Sequence, residues 1–213
     1  MKQPMIVGKV ALVVVDIQQA GAMPAEVVGI AHMEGIEGRV ERAEQLVAAA
    51  RDAGVPIVFF QEVHRPSGVD FGRELDGTEG PHCVDGAPGT ALWPTLVPDP
   101  AADGREFHIV KRRYSGFIGT EFEIVLRGLG VQTLVLIGGL TDVCVQYTFA
   151  DAHQRDFHVR VVEDCVGGSS VARHDAALDA MEYLQTGARR TTEEVVEAFH
   201  ALAPARTLTG VGA

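Results

Sequence analysis

The sequence predicts a three-layer α/β/α domain on a mainly parallel, Rossmann-like sheet, and three observations carry that prediction. Short valine-rich runs alternate along the chain with segments of helical period. The first run is apolar throughout, as a strand covered on both faces requires. Glycines close two of the helical stretches. Such alternation specifies parallel strands joined by crossover helices.

Lys9–Asp16 (KVALVVVD) is the first strand. A helix fits residues 39–53, where Ala43, Leu46, Val47 and Ala50 repeat at i, i+3, i+4 and i+7, and Gly54 closes it. Pro56–Phe60 is the second strand. Residues 61–104 are irregular, and a connection of that length in a compact domain is usually functional. Glu106–Lys111 is the third strand. Thr120 then opens a helix, with Glu123 at capping-box spacing and Phe122, Val125, Leu126 and Leu129 as its apolar stripe. Thr133–Ile137 is the fourth strand, followed by GGLTDVC and a helix from residue 143 onward. His158–Glu163 is the fifth. A helix over 172–186 turns Ala177, Ala180, Met181 and Leu184 inward, and Thr191 with Glu194 caps a last helix. The terminal TLTGVGA is expected to fray. No repeat or linker interrupts the chain, so residues 1–213 read as one domain.

Composition narrows the function. A formal net charge of -11 argues against nucleic acid and anionic membranes as partners. The start does not resemble a signal peptide, and no apolar stretch approaches the ~20 residues a membrane span needs. Cys83, Cys144 and Cys165 form an odd, widely spaced set that suggests neither a disulfide framework nor a CxxC metal site. A reducing cytoplasm is the expected compartment.

In an open parallel sheet, ligands bind beyond the carboxyl ends of the strands. Asp16, Lys111 and Cys144 all fall at such ends. Each has a plainer explanation as a turn residue, a solvated cation or a buried thiol, but their common edge favours chemistry. A thiol at a helix start beside an ammonium is a candidate nucleophile. Asp16 would accept the thiol proton and return it to a leaving amine, and Lys111 would hold both groups electrostatically. Backbone N–H groups of Leu140 and Cys144 would form an oxyanion hole, with Gly138 and Gly139 allowing close approach. Gln18, Tyr114, Phe117, Gln146 and Tyr147 are candidate pocket-lining residues. No GxGxxG follows the first strand, which disfavours a dinucleotide-binding domain.

VVVDIQ around Asp16, KRRYSGFIGT around Lys111 and GGLTDVCVQYTFADA around Cys144 resemble the isochorismatase-like cysteine hydrolases, over roughly residues 9–200. That superfamily includes nicotinamidase, N-carbamoylsarcosine amidohydrolase, biuret hydrolase and ureidoacrylate amidohydrolase. The resemblance implies an Asp–Lys–Cys triad, a thioester intermediate and a cis peptide at Gly139–Leu140. It also implies a small amide, carbamoyl or ureido substrate cleaved at C–N, and a homodimer or homotetramer. The triad chemistry needs no cofactor. Where many members carry an Asp–Phe pair after the first motif, this chain has Gln19–Ala20–Gly21–Ala22–Met23.

The long loop is similar to the metal-binding segment of nicotinamidases. Glu62, His64 and His82 (within PHCV) match that ligand pattern, with Asp70 as a further candidate, and the set suits zinc or iron. The alternative is that Glu62, His64 and Asp70 order the loop through hydrogen bonds and ion pairs with Arg65 and Arg73. Those two arginines either recognise a substrate carboxylate or ureido oxygen through the planar fork or bind Glu74, Asp76 or Glu79, and the mixed local charge favours the second. A metal-dependent nicotinamidase-type amidase and a catalytically silent scaffold are the competing functional readings.

Overall fold

The computed structural model describes residues 3–102 and 104–203. Six parallel strands form one sheet: β1 (Lys9–Val15), β2 (Ile57–Glu62), β3 (Glu106–Lys111), β4 (Val131–Gly139), β5 (His158–Gly167) and β6 (Arg189–Arg190). Their spatial order is β3-β2-β1-β4-β5-β6. The chain therefore winds outward from β1 in one direction and then, from β4, in the other, so the reversal lies between β1 and β4.

The period of two in β1 divides the core. Ala11, Val13 and Val15 face a layer containing α3 (Phe122–Leu129), α4 (Gln146–His153) and α5 (Val171–Leu184). Val10, Leu12 and Val14 face α2 (Ile36–Ala53) and α6 (Thr192–Leu202), completing three layers. A short helix, α1 (Ala25–Val28), precedes α2. No helix among the described residues is long and apolar enough to cross a membrane.

Several expectations are corrected in detail. The two-residue strand β6 has too little pattern to be seen in sequence. Helix α2 begins at Ile36, three residues early, and β4 and β5 run on through their glycines, pairing Gly139 with Gly167. Thr120 and Glu123 do not form a capping box. The Thr120 hydroxyl donates to the Gly116 carbonyl and accepts from Phe122 N–H, while Glu123 pairs with Arg127 and Arg155. The Thr191–Glu194 box does form. On α5 the inward face is Ala177, Leu178 and Met181, and Leu184 is 44% exposed. The TLTGVGA segment lies outside the described residues.

The long connection after β2 is irregular but tied down. His64 N–H donates to Cys83 O at 2.7 Å, Asp85 N–H to His64 O at 2.8 Å, and Gly80 N–H to Gly29 O at 2.8 Å. A 3₁₀ turn at Glu74–Asp76 is its one helical piece among the described residues. These bonds fold the loop back over the strand ends, where the polar residues gather.

Candidate active site

Four polar side chains meet at the carboxyl edge of the sheet. Asp16 directly follows β1, and its φ of 49° is left-handed, a conformation aspartate tolerates better than most residues. Glu62 and Lys111 end β2 and β3 and are register partners. β4 ends at Gly139, whose peptide bond to Leu140 is cis. A wide helical turn over Thr141–Val145 follows, with Val145 N–H reaching Leu140 O at 3.1 Å, and places Cys144 over the same spot.

Lys111 is the hub. Its Nζ lies 2.8 Å from Asp16 Oδ2, 2.6 Å from Glu62 Oε2 and 3.3 Å from Cys144 Sγ. Cys144 Sγ is also 3.4 Å from Glu62 Oε2. Lys111 and Cys144 are buried, so these charges interact with little screening.

The electrostatics follow from that burial. Desolvation pushes Asp16 up to about 6, against the pull of Lys111. Burial likewise raises the Cys144 thiol, which Lys111 only partly offsets. Burial opposes the Lys111 charge, yet Asp16, Cys144 and Glu62 together hold its pKa well above the ordinary lysine value. Glu62 is held low: burial opposes its charge, but Lys111, His64 and His82 outweigh it. At neutral pH the site therefore contains an ammonium, two carboxylates and a neutral thiol.

Above these groups opens a largely apolar cavity lined by Gln18, Ile30, Met33, Ile36, Tyr114 and Leu140, among others. Gln18 also clamps the site: its amide N–H groups reach Glu62 O and Thr90 O, and its Oε1 accepts from Glu62 N–H. Tyr114 is placed as expected. Three other lining candidates are not. Phe117 belongs to the buried core beneath Phe122, and Tyr147 is 54% exposed, stacked on the outer side of Tyr114. Gln146 lines a separate depression with Asp142 and Arg173. The Gln19–Ala22 segment forms a tight turn that brings Ala20 and Gly21 to the cavity wall.

A second buried cluster adjoins the first through Glu62. Donor atoms of Glu62, His64, Glu74 and His82 all lie within 4.8 Å of one another. Glu62 Oε1 is 3.2 Å from His64 Nε2 and 3.3 Å from His82 Nε2, and Glu74 Oε2 is 3.1 Å from His64 Nε2. His82 Nδ1 donates to Gly80 O at 2.8 Å, which leaves Nε2 able to act as a ligand. Two imidazoles and two carboxylates in this arrangement fit a divalent ion. Asp70, proposed for this set, instead pairs with Arg65 and Arg112, and Arg73 pairs with Asp76 at the surface. Sequence reasoning missed Glu74, because loop folding recruits it and no periodicity marks it. It also gave Glu62 only a metal-binding or a loop-ordering role and missed its contact with Lys111.

The isochorismatase domain family matches residues 10–195 of the chain. The ureidoacrylate amidohydrolase of Methylorubrum extorquens is 34% identical over 202 residues, covering 85% of this chain and 75% of that protein. Among solved structures, the N-carbamoylsarcosine amidase of Thermoplasma acidophilum aligns with a TM-score of 0.71 at 27% identity, covering 87% of this chain and 98% of that one. A pyrazinamidase/nicotinamidase from Streptococcus mutans aligns at 0.69 and 26%, covering 85% and 100%. The domain match and the similarity to the amidohydrolase relatives agree: the chain belongs to the isochorismatase family and is an isochorismatase-like hydrolase.

Proposed function

We propose that this chain hydrolyses the C–N bond of a small amide, carbamoyl or ureido compound through a thioester on Cys144. The observation that carries this reading is the buried Lys111 ammonium, which lies within 3.3 Å of both Asp16 and Cys144, two residues of the cavity lining. With Asp16 ionised above about pH 6, its carboxylate takes the thiol proton as sulfur bonds to the substrate carbonyl carbon. Lys111 keeps its proton and steadies both anions. The carbonyl oxygen gains negative charge opposite the Leu140 and Cys144 amides. Asp16 then protonates the departing nitrogen as the C–N bond breaks. A water molecule, deprotonated by Asp16, cleaves the thioester and regenerates the thiol.

The ureidoacrylate amidohydrolase and N-carbamoylsarcosine amidase relatives support a ureido or carbamoyl substrate. A nicotinamidase-type reading is favoured by one observation, the buried Glu62–His64–Glu74–His82 cluster next to the triad. These four residues would hold a divalent ion, which would supply Lewis-acid polarisation of a substrate heteroatom or water. Ammonia release from a panel of ureido acids, N-carbamoyl amino acids and nicotinamide tests both readings. Turnover of one class, abolished in Cys144→Ala, is expected; turnover that persists in Cys144→Ala contradicts the thioester.

A further inference from the structure

The cavity above Cys144 is walled mostly by apolar groups, and among its lining residues Arg39 is the only lysine or arginine. Arg39 sits in the first turns of α2 and is partly buried. Two of its N–H groups hold the chain before the helix, donating to Glu34 O at 2.7 Å and Met33 O at 2.9 Å. A guanidinium has five donors, so three remain. Other arginines nearby are matched with a carboxylate: Arg42 with Asp164, and Arg51 with Glu106. Arg39 has no such partner among the described residues. Burial and neighbouring Arg42 push its pKa below the ordinary arginine value, as expected of a cation short of counter-charge.

The wall is shaped around it. A Cβ at Gly167 would lie 2.7 Å from Arg39 Cζ and Nε, so the glycine leaves the space the guanidinium fills. Gly167 is the register partner of Gly139, which begins the turn carrying Leu140 and Cys144. His32 lines the same cavity. Its Nε2 donates to Met23 O at 2.9 Å, so in the neutral ring the buried, unpartnered Nδ1 is left as an acceptor. The carboxylates of Asp16, Glu62 and Glu79 also line the cavity, and the single Lys111 ammonium beside the first two offsets only part of that charge, so an anionic substrate needs a further cation.

We infer that Arg39 is a specificity-determining residue that binds a carboxylate on the substrate, distal to the scissile C–N bond. The substrate class is then a ureido or carbamoyl acid, whose internal N–H suits the free His32 Nδ1. This inference rests on the carbamoyl or ureido hydrolase reading above.

The test compares 3-ureidopropionate with its methyl ester, which differs in charge, by ammonia release. The wild-type enzyme should favour the acid in kcat/KM by roughly 10- to 100-fold, mainly through KM, the worth of charge-assisted hydrogen bonds. In Arg39→Met that ratio should collapse towards about one, with Arg39→Lys intermediate, because a point charge replaces the fork. Gly167→Ala, which displaces the guanidinium, should shrink the ratio too and serves if Arg39→Met does not fold. An unchanged ratio in these variants, or a wild-type enzyme indifferent to the acid, overturns the assignment. If neither compound is hydrolysed, the ureido hydrolase reading fails, and calorimetry with 3-ureidopropionate on Cys144→Ala decides the subsite separately. Binding that Arg39→Met abolishes supports the subsite, and absence of binding rejects it.

Discussion

Lys111 is a fully buried ammonium facing two carboxylates and a thiol, and its removal leaves like charges in a medium that cannot solvate them. Lys111→Met should therefore cost about 3–5 kcal/mol in chemical denaturation as well as activity, the expected loss when one partner of a buried pair is deleted. A variant with the wild-type midpoint would show that the carboxylates do not depend on it. Asp16 sets the pH response. Its pKa lies above the ordinary aspartate value, so it becomes protonated as pH falls through about 6 and stops acting as a base. A profile of kcat/KM should fall on its acid side at about pH 6; a fall only at the ordinary carboxylate pH would contradict the desolvated site.

The backbone that delivers these residues is equally specific. Gly138 has φ 108°, and a Cβ there would lie 2.0 Å from Val15 O. Gly138→Ala should destabilise the protein by more than ~2 kcal/mol, because both the conformation and the clash involve backbone with no room to relax. A thermal midpoint within a degree or so of wild type would refute that. At this scale the sequence was most legible where pattern is strong. β1 and β3 read as strands to their last residue or within one of it, and the polar residue closing each apolar run marked Asp16 and Lys111. The capping box of α6 was legible for the same local reason. Features decided by tertiary folding were not. Thr120 has the spacing of a cap, but its hydroxyl is drawn to Gly116. Phe117 and Tyr147 flank the correct motifs, yet packing turns one into the core and the other towards solvent. Glu74 joins the histidines only because its loop folds back, and Arg39, four residues before Ala43 and seven before Leu46, lies on the inward stripe of α2, where an arginine interrupts the apolar pattern.

Across the molecule, segments distant in the chain converge on two adjoining clusters that share Glu62, one side of its carboxylate on Lys111 and the other on two imidazoles. Elemental analysis of the purified protein should find about one divalent ion per chain, the stoichiometry of a single four-residue ligand set. Glu74→Gln should lose it and Cys144→Ala should keep it; equal metal content in both variants would disconnect the ion from this cluster. The triad chemistry stands apart from that result, since every proton transfer assigned to it uses Asp16 and Cys144. Its most direct test is intact mass spectrometry of the enzyme quenched in acid during turnover of a ureido or carbamoyl substrate, followed by peptide mapping. The acyl group of the substrate should be found on Cys144 and be absent from Cys144→Ala. Steady turnover with no adduct at Cys144, together with an active Cys144→Ala, would contradict covalent catalysis at this site.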